Sequence, residues 1–83
     1  MTKSLHSATY EKLTELLVQA RKKSGLKQQQ VADALNTHQS YIAKVEGGER
    51  RIDVVEFMEL ARALGVVPSN LLKKLETTTP VKD

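Results

Sequence analysis

Apolar residues recur at spacings of three and four along nearly the whole chain, and glycine, asparagine or proline interrupts them at short intervals. This is the period of helices with one buried face, and no segment alternates apolar and polar residues long enough to predict a strand. A chain of 83 residues can hold one modest core and no deep substrate cleft. We therefore expect one compact all-α domain of five short helices over 9–76, between a flexible N-terminal arm, 1–8, and a flexible tail, 77–83.

Three helices are predicted in the first half of the chain. The first has an apolar face between Tyr10 and Ala20, and Gly25 can take the left-handed conformation that ends it. The second spans about 28–35 and is followed by Asn36, which tolerates a left-handed turn better than most residues. The third spans 39–46 and stops at a pair of glycines.

Two further helices are predicted in the second half. Asp53 and Glu56 stand three apart and are typical of a capping box that opens the fourth helix. The residues expected on its buried face are Val54, Phe57, Met58, Ala61 and Leu64. Pro68 suits the first turn of the fifth helix, which carries three leucines.

The charge of the chain is unevenly distributed. The formal net charge is only +3, but residues 1–52 carry nine Lys and Arg against five Asp and Glu, whereas residues 53–83 carry four against five. An excess of this size indicates an anionic partner only weakly. The basic half of the chain is nevertheless the half in which a binding surface is expected.

Several functional classes are excluded by what the chain lacks. It contains no cysteine, and His6 and His38 stand alone, so we expect no metal site and no cofactor. No apolar run approaches the roughly 20 residues that span a membrane, and no secretory signal is visible, so we expect a cytoplasmic protein. No carboxylate pairs with a histidine or nucleophile, and no glycine-rich phosphate loop occurs, so we expect no enzyme.

The most informative segment runs from residue 28 to residue 47. It contains two helices of about eight residues joined by a turn of about three, with Ala32 where the helices must approach closely. Ile42 and Val45 are expected to anchor the second of these helices inward. The positions left on its outer face are His38, Gln39, Ser40, Tyr41, Ala43 and Lys44. Glutamine can form two hydrogen bonds with the edge of an adenine, and lysine can reach phosphate or guanine. This face therefore suits a DNA major groove.

With these residues the chain resembles the Cro/XRE family of phage-repressor-like helix-turn-helix regulators, from about Leu13 to Leu75. The residues that carry the resemblance are Arg21, Gly25, Leu26, Gln28, Val31, Ala32, Leu35, Ile42, Val45, Glu46, Gly48 and the segment 61–66. The resemblance implies a five-helix fold that binds double-stranded operator DNA, usually as a dimer, with the third helix in the major groove. Antitoxins and restriction-modification controllers share this domain, and the sequence leaves these alternatives open.

The resemblance also implies roles for individual positions. Gln28 matches a glutamine that contacts phosphate and braces the recognition helix, and Arg21 and Glu46 match a buried ion pair. The loop that carries Arg50 and Arg51 follows the DNA backbone. The positions expected to contact DNA are Lys27, Gln28, His38, Gln39, Ser40, Tyr41, Lys44, Arg50 and Arg51.

Three positions depart from the family pattern. Asn36 replaces a usual glycine at the turn, which its backbone tolerates. Lys27 stands where a capping Ser, Thr or Asn is usual. Its side chain cannot accept hydrogen bonds from the free backbone N–H groups at the helix start. His38 replaces a usual Ser or Thr at the start of the third helix.

A homodimer formed mainly by the C-terminal part is expected, because that part holds more apolar side chains than so small a core can bury. The residues concerned are Val66, Val67, Leu71, Leu72 and Leu75. The alternative is a protein-interaction module that keeps the fold without binding DNA. The cationic loop Arg50–Arg51 disfavours this alternative, as does an outer helix face on which only Tyr41 resembles an interface anchor. No small-molecule effector is expected.

Overall fold

The computed structural model describes residues 7–78, together with the side chains of residues 7–77. Its five helices are α1 (Ala8–Lys23), α2 (Gln28–Ala34), α3 (Gln39–Glu46), α4 (Val54–Ala63) and α5 (Pro68–Thr78). No strand occurs within this described part of the chain. The predicted all-α, five-helix architecture is therefore confirmed.

Both ends of the helical domain extend further than the sequence predicted. The Oγ of Ser7 accepts the backbone N–H of Tyr10 at 3.1 Å, so Ser7 caps α1 and the helix begins at Ala8, within the range predicted as an arm. At the other end, α5 continues through Thr78, and the hydroxyl of Thr77 donates to the carbonyl of Lys74 at 3.2 Å. Two threonines of the predicted tail are therefore helical, and residues 1–6 and 79–83 lie outside the described residues.

The capping box predicted at the start of α4 is confirmed. The Oδ1 of Asp53 accepts the N–H of Glu56 at 2.7 Å, and the Oε1 of Glu56 accepts the N–H of Asp53 at 2.9 Å. The expected burial of Val54 is wrong, since this residue is 67% exposed. It opens α4 next to an exposed cap, so the buried stripe of this helix begins one turn later, at Phe57, and includes Leu60.

The core lies where α2 and α3 pack against α1, α4 and α5. Its members are Leu16, Leu17, Val31, Ala32, Ile42, Val45, Phe57, Leu60, Ala61, Leu64 and Leu71. Ala32 is fully buried between α2 and α3, as predicted, and a larger side chain there would force these helices apart. The inward side chains of Ile42 and Val45 fix α3 on this core and thereby decide which of its residues face outward.

The turn between α2 and α3 depends on Asn36. Its φ of +56° lies in the left-handed region, as predicted, and asparagine occupies this region at lower cost than most residues. The N–H of Asn36 donates to the carbonyl of Asp33 at 3.1 Å, and the N–H of Thr37 donates to the carbonyl of Ala32 at 2.9 Å. These bonds satisfy carbonyls at the end of α2 and set the direction in which the chain enters α3.

Candidate nucleic-acid interface

The first residues of α2 and α3 are joined by their side chains. The Nε2 of Gln39 donates to the Oε1 of Gln28 at 2.5 Å, so the first residue of α3 contacts the first residue of α2. Gln39 is exposed and Gln28 is half-buried. The resemblance predicted that Gln28 would brace the third helix, and this hydrogen bond joins Gln28 to the first residue of α3.

An ion pair beneath this surface holds Gln28 in place. The guanidinium of Arg21 in α1 donates from Nε to the Oε2 of Glu46 at 2.6 Å and from Nη2 to its Oε1 at 3.0 Å. The two side chains are only 13% and 11% exposed, so the predicted structural ion pair is confirmed. The third donor to Glu46 is the Nε2 of Gln28, at 2.9 Å from Oε1. The hydrogen-bonded series Arg21–Glu46–Gln28–Gln39 therefore connects the inside of the domain to its outer face.

Three polar residues of the predicted site stand on the outer side of α3. His38, Ser40 and Lys44 are all exposed, and among the described residues none of their side chains has a hydrogen-bond partner. His38 occupies the N-cap of α3 without a capping bond from its ring, as its departure from the family pattern predicted. Ser40 and Lys44 are one helical turn apart and share a face. These side chains are available to a ligand that approaches the start of α3.

Lys27 stands at the N-cap of α2 and is exposed. Its ammonium group has no acceptor atom, and Gln30 supplies the cap instead, since its Oε1 accepts the backbone N–H of Lys27 at 2.8 Å. Gln29 donates to the Oδ1 of Asp33 at 2.9 Å, which is a helix-surface pair. Only the first of the three consecutive glutamines therefore takes part in the series that reaches α3. The position of Gln30 three residues after the N-cap was the signal for its capping role.

Tyr41 and Arg50 come together beside α4. The guanidinium carbon of Arg50 lies 5.2 Å from the centre of the Tyr41 ring, and its Nη2 lies 3.0 Å from the Oε2 of Glu56. Burial of the Tyr41 hydroxyl and the nearby negative charge of Glu56 raise the pKa of this tyrosine, although the positive charge of Arg50 opposes them. Glu56 therefore caps α4 and holds the loop arginine at the same time.

Arg51 follows Arg50 directly in the loop, and its side chain stacks on α1. Its guanidinium carbon is 4.2 Å from the centre of the Tyr10 ring, and the hydroxyl of Tyr10 lies 3.5 Å from the carbonyl oxygen of Arg50. These stacking contacts were not predicted from the sequence, in which the two arginines stand out only as loop cations. Two tyrosines and two adjacent arginines in so small a chain were the available signal.

Among the described residues, the large apolar side chains that are exposed belong to α4, α5 and the segment before α5, and none of them is on α3. Val54 and Val55 are 67% and 60% exposed at the start of α4, and Val67 and Leu72 are 55% and 45% exposed around the start of α5. Of the five apolar residues that the sequence singled out in the C-terminal part, Leu71 is only 4% exposed and belongs to the core, whereas Val67 and Leu72 stay exposed. Val67 also lines an open depression, together with Val66 and residues of α5.

Residues 7–78 contain neither a cluster of metal ligands nor a helix suited to a bilayer. No group of His, Asp and Glu residues in this range is arranged to hold a metal ion. None of the described helices is both long enough and apolar enough to cross a membrane.

Comparisons with known proteins agree with this geometry. The helix-turn-helix family matches residues 17–76. Control protein C.BamHI of Bacillus amyloliquefaciens is 34% identical over 50 residues, which cover 60% of this chain and 62% of that protein, so less than two thirds of the relative is spanned. The solved structure of an XRE-family like protein from Pseudomonas syringae pv. tomato str. DC3000 is 45% identical, with a TM-score of 0.86, over 90% of this chain and 92% of that one. The chain belongs to the helix-turn-helix family, and within it to the Cro/XRE type.

Proposed function

We propose that this chain binds double-stranded operator DNA sequence-specifically, as a homodimer on an inverted repeat, with α3 in the major groove and in a bacterial cytoplasm. The observation that carries the proposal is the hydrogen bond by which Gln28 holds Gln39 at the exposed start of α3. A side chain that reads a base edge must be held in one place, because a mobile one discriminates poorly between bases.

Base reading in this proposal falls to the N-terminal part of α3. Gln39 contacts an adenine edge, and His38 and Ser40 contact neighbouring base edges. Lys44 lies one turn further along the same helix and reaches guanine or phosphate. The exposure of these side chains supports the assignment, since a groove can be reached only by groups that are not already buried.

Backbone contacts fall to residues around this helix. Lys27 and Gln28 at the start of α2, together with Tyr41, Arg50 and Arg51, face the sugar-phosphate backbone on either side of the groove. The stacking of each arginine on a tyrosine supports this role, because a held guanidinium loses less conformational freedom when it meets a phosphate. Contacts of this kind position the protein without reading sequence.

The dimer contact is proposed at Val67 and Leu72, around the start of α5. Both are large apolar side chains that the core leaves exposed, and Val67 also lines the depression beside Val66. A two-fold dimer would place its two copies of α3 about 34 Å apart, which is one turn of DNA. Leu71 is left out of this contact because it belongs to the core.

The alternative, a protein-interaction module without DNA binding, is disfavoured by where the apolar surface lies. The large apolar side chains described as exposed belong to α4, to α5 and to the segment before α5, whereas α3 presents polar and cationic groups. Aromatic and apolar anchors are the groups that protein interfaces prefer. A ligand of α3 is therefore better matched by a nucleic acid than by a protein.

Selection from a pool of random-sequence duplexes tests the proposal. We expect the wild-type chain to enrich an inverted repeat with half-sites about one helical turn apart. The matched control is the double variant Lys44→Glu with Ser40→Glu. It leaves the core untouched and makes the exposed face of α3, which is proposed to enter the groove, negatively charged. This variant should enrich nothing. Failure of the folded wild-type chain to enrich any motif would contradict the proposal and favour the interaction module.

A further inference from the structure

In the hydrogen-bonded series Arg21–Glu46–Gln28–Gln39, each residue can offer its neighbours only certain donor or acceptor groups. The donor and acceptor roles along the series are therefore fixed, which gives the series a direction. We propose that Glu46 is a positioning residue that fixes the orientation of the Gln39 amide, that is, where its oxygen and its NH₂ group lie relative to DNA. Through this orientation, Glu46 would set a preference for adenine over guanine at the base that Gln39 contacts. The inference rests on the proposed function, since it concerns the reading of a base edge.

The direction starts at the ion pair. An ionised carboxylate accepts hydrogen bonds and donates none, and Glu46 is paired with the guanidinium of Arg21. Gln28 must therefore turn its NH₂ group toward Glu46, as observed at 2.9 Å. The carbonyl oxygen of Gln28 then faces Gln39. Because this oxygen can only accept, Gln39 must donate to it from its own NH₂ group, as observed at 2.5 Å.

The consequence is that Gln39 has a fixed pair of groups left for a ligand. One N–H of its Nε2 is used by Gln28, and the second N–H and the Oε1 remain; within residues 7–78 nothing donates to this oxygen. Adenine offers an acceptor at N7 and a donor at N6, which match this pair. Guanine offers acceptors at both N7 and O6, so the fixed Oε1 would face another acceptor.

The test changes the direction of the series without removing it. In Glu46→Gln the new amide can either donate or accept a hydrogen bond. The amides of Gln28 and Gln39 are then free to rotate by half a turn, which exchanges the positions of their oxygen and NH₂ group. In the double variant Glu46→Gln with Gln28→Glu, the carboxylate has moved to position 28, where it accepts only, so Gln39 must again present its NH₂ group to it. The double variant keeps the net charge of the wild type.

The probe is the duplex that wild type selects from a random pool. The base pair at which the variant Gln39→Ala loses its sequence preference is identified first, and each of the four possible base pairs is then placed at that position. We expect the preference of wild type for A·T over G·C to fall about tenfold in Glu46→Gln and to return in the double variant. A residue that only stabilises the fold would lower affinity for every duplex and leave this ratio unchanged.

A second pair of variants keeps the test decisive if Glu46→Gln does not fold. Gln28→Met interrupts the series but leaves the ion pair of Arg21 and Glu46 in place, and it should lose the same preference. Gln29→Met removes an amide from the adjacent position, outside the series, and should keep it. An unchanged ratio in folded Gln28→Met, or no recovery in the folded double variant, would overturn the inference alone. If wild type selects no duplex at all, the proposed function fails and the inference with it.

Discussion

Arg21 and Glu46 form a two-point ion pair, with Nε–Oε2 at 2.6 Å and Nη2–Oε1 at 3.0 Å, that joins α1 to the last residue of α3. The guanidinium also donates from Nη1 to the carbonyl of Leu26 at 2.9 Å, in the segment between α1 and α2. One side chain therefore ties together the helix that supports the motif, the segment that enters it and the helix proposed to read DNA.

Arg21→Ala should destabilise the domain more than it weakens the intrinsic affinity of the folded protein for DNA. Removing one partner of a largely buried pair leaves Glu46 without its counter-charge, which costs about 3–5 kcal/mol. Thermal unfolding measures the effect. Lys12→Ala breaks the exposed pair with Glu15 and serves as the control, with little change expected. An unchanged midpoint in Arg21→Ala would show that the pair contributes nothing to stability.

Much of this arrangement was predictable from sequence because it follows from local spacing. The capping box at Asp53, the left-handed Asn36 and the pairing of Arg21 with Glu46 all match what the sequence or the family pattern indicated. Each of the first two depends on residues within a few positions of one another, where chain geometry leaves few alternatives.

The parts that the sequence did not predict depend on contacts between distant positions. Tyr10 meets Arg51, and Tyr41 meets Arg50, only after the helices have packed. The burial of Leu71 likewise depends on how α5 lies against the core, because its own helix carries further leucines that spacing alone cannot rank. The direction of the Gln28–Gln39 bond is similarly determined by Glu46, far along the chain.

The dimer surface is tested by adding charge to it. Val67→Glu with Leu72→Glu should abolish association at micromolar concentration while the fold is kept, because both side chains are exposed in the single chain. Gln19→Glu adds negative charge to an exposed position on α1 and should leave association unchanged. Sedimentation measures both. Equal association of the two variants would place the dimer contact elsewhere, and a wild type that is monomeric on and off DNA would contradict the dimer itself.

Stability at alkaline pH should depend on Tyr41. Burial and the charge of Glu56 raise its pKa above the ordinary value of 10.0, so the folded chain holds the hydroxyl proton more tightly than the unfolded chain. The resulting stabilisation is fully present below the unfolded pKa and is lost as the pH rises through the folded one. Denaturant unfolding above about pH 10 should therefore show a steeper loss of stability in wild type than in Tyr41→Phe. Parallel pH profiles would contradict this.

Arg51→Ala should weaken binding to every duplex. Removing a cation that neutralises a phosphate lowers affinity without regard to sequence, and it makes the slope of log affinity against log salt shallower by about one unit per phosphate. Titrations at several salt concentrations measure the slope. Lys23→Ala removes a cation from the end of α1, outside the proposed site, and should leave the slope unchanged. If Arg51→Ala keeps the wild-type slope, this arginine serves only to pack against Tyr10.

The central claim is that Gln39 reads a base from the start of α3, and the most direct test is the titration of wild type and Gln39→Ala on the selected duplex and on a scrambled one. The variant should stay folded, since Gln39 is exposed. It should lose about 1–3 kcal/mol of binding free energy on the selected duplex, little on the scrambled one, and none of the salt dependence. An equal loss on both duplexes would contradict the claim and show that α3 grips DNA without reading it.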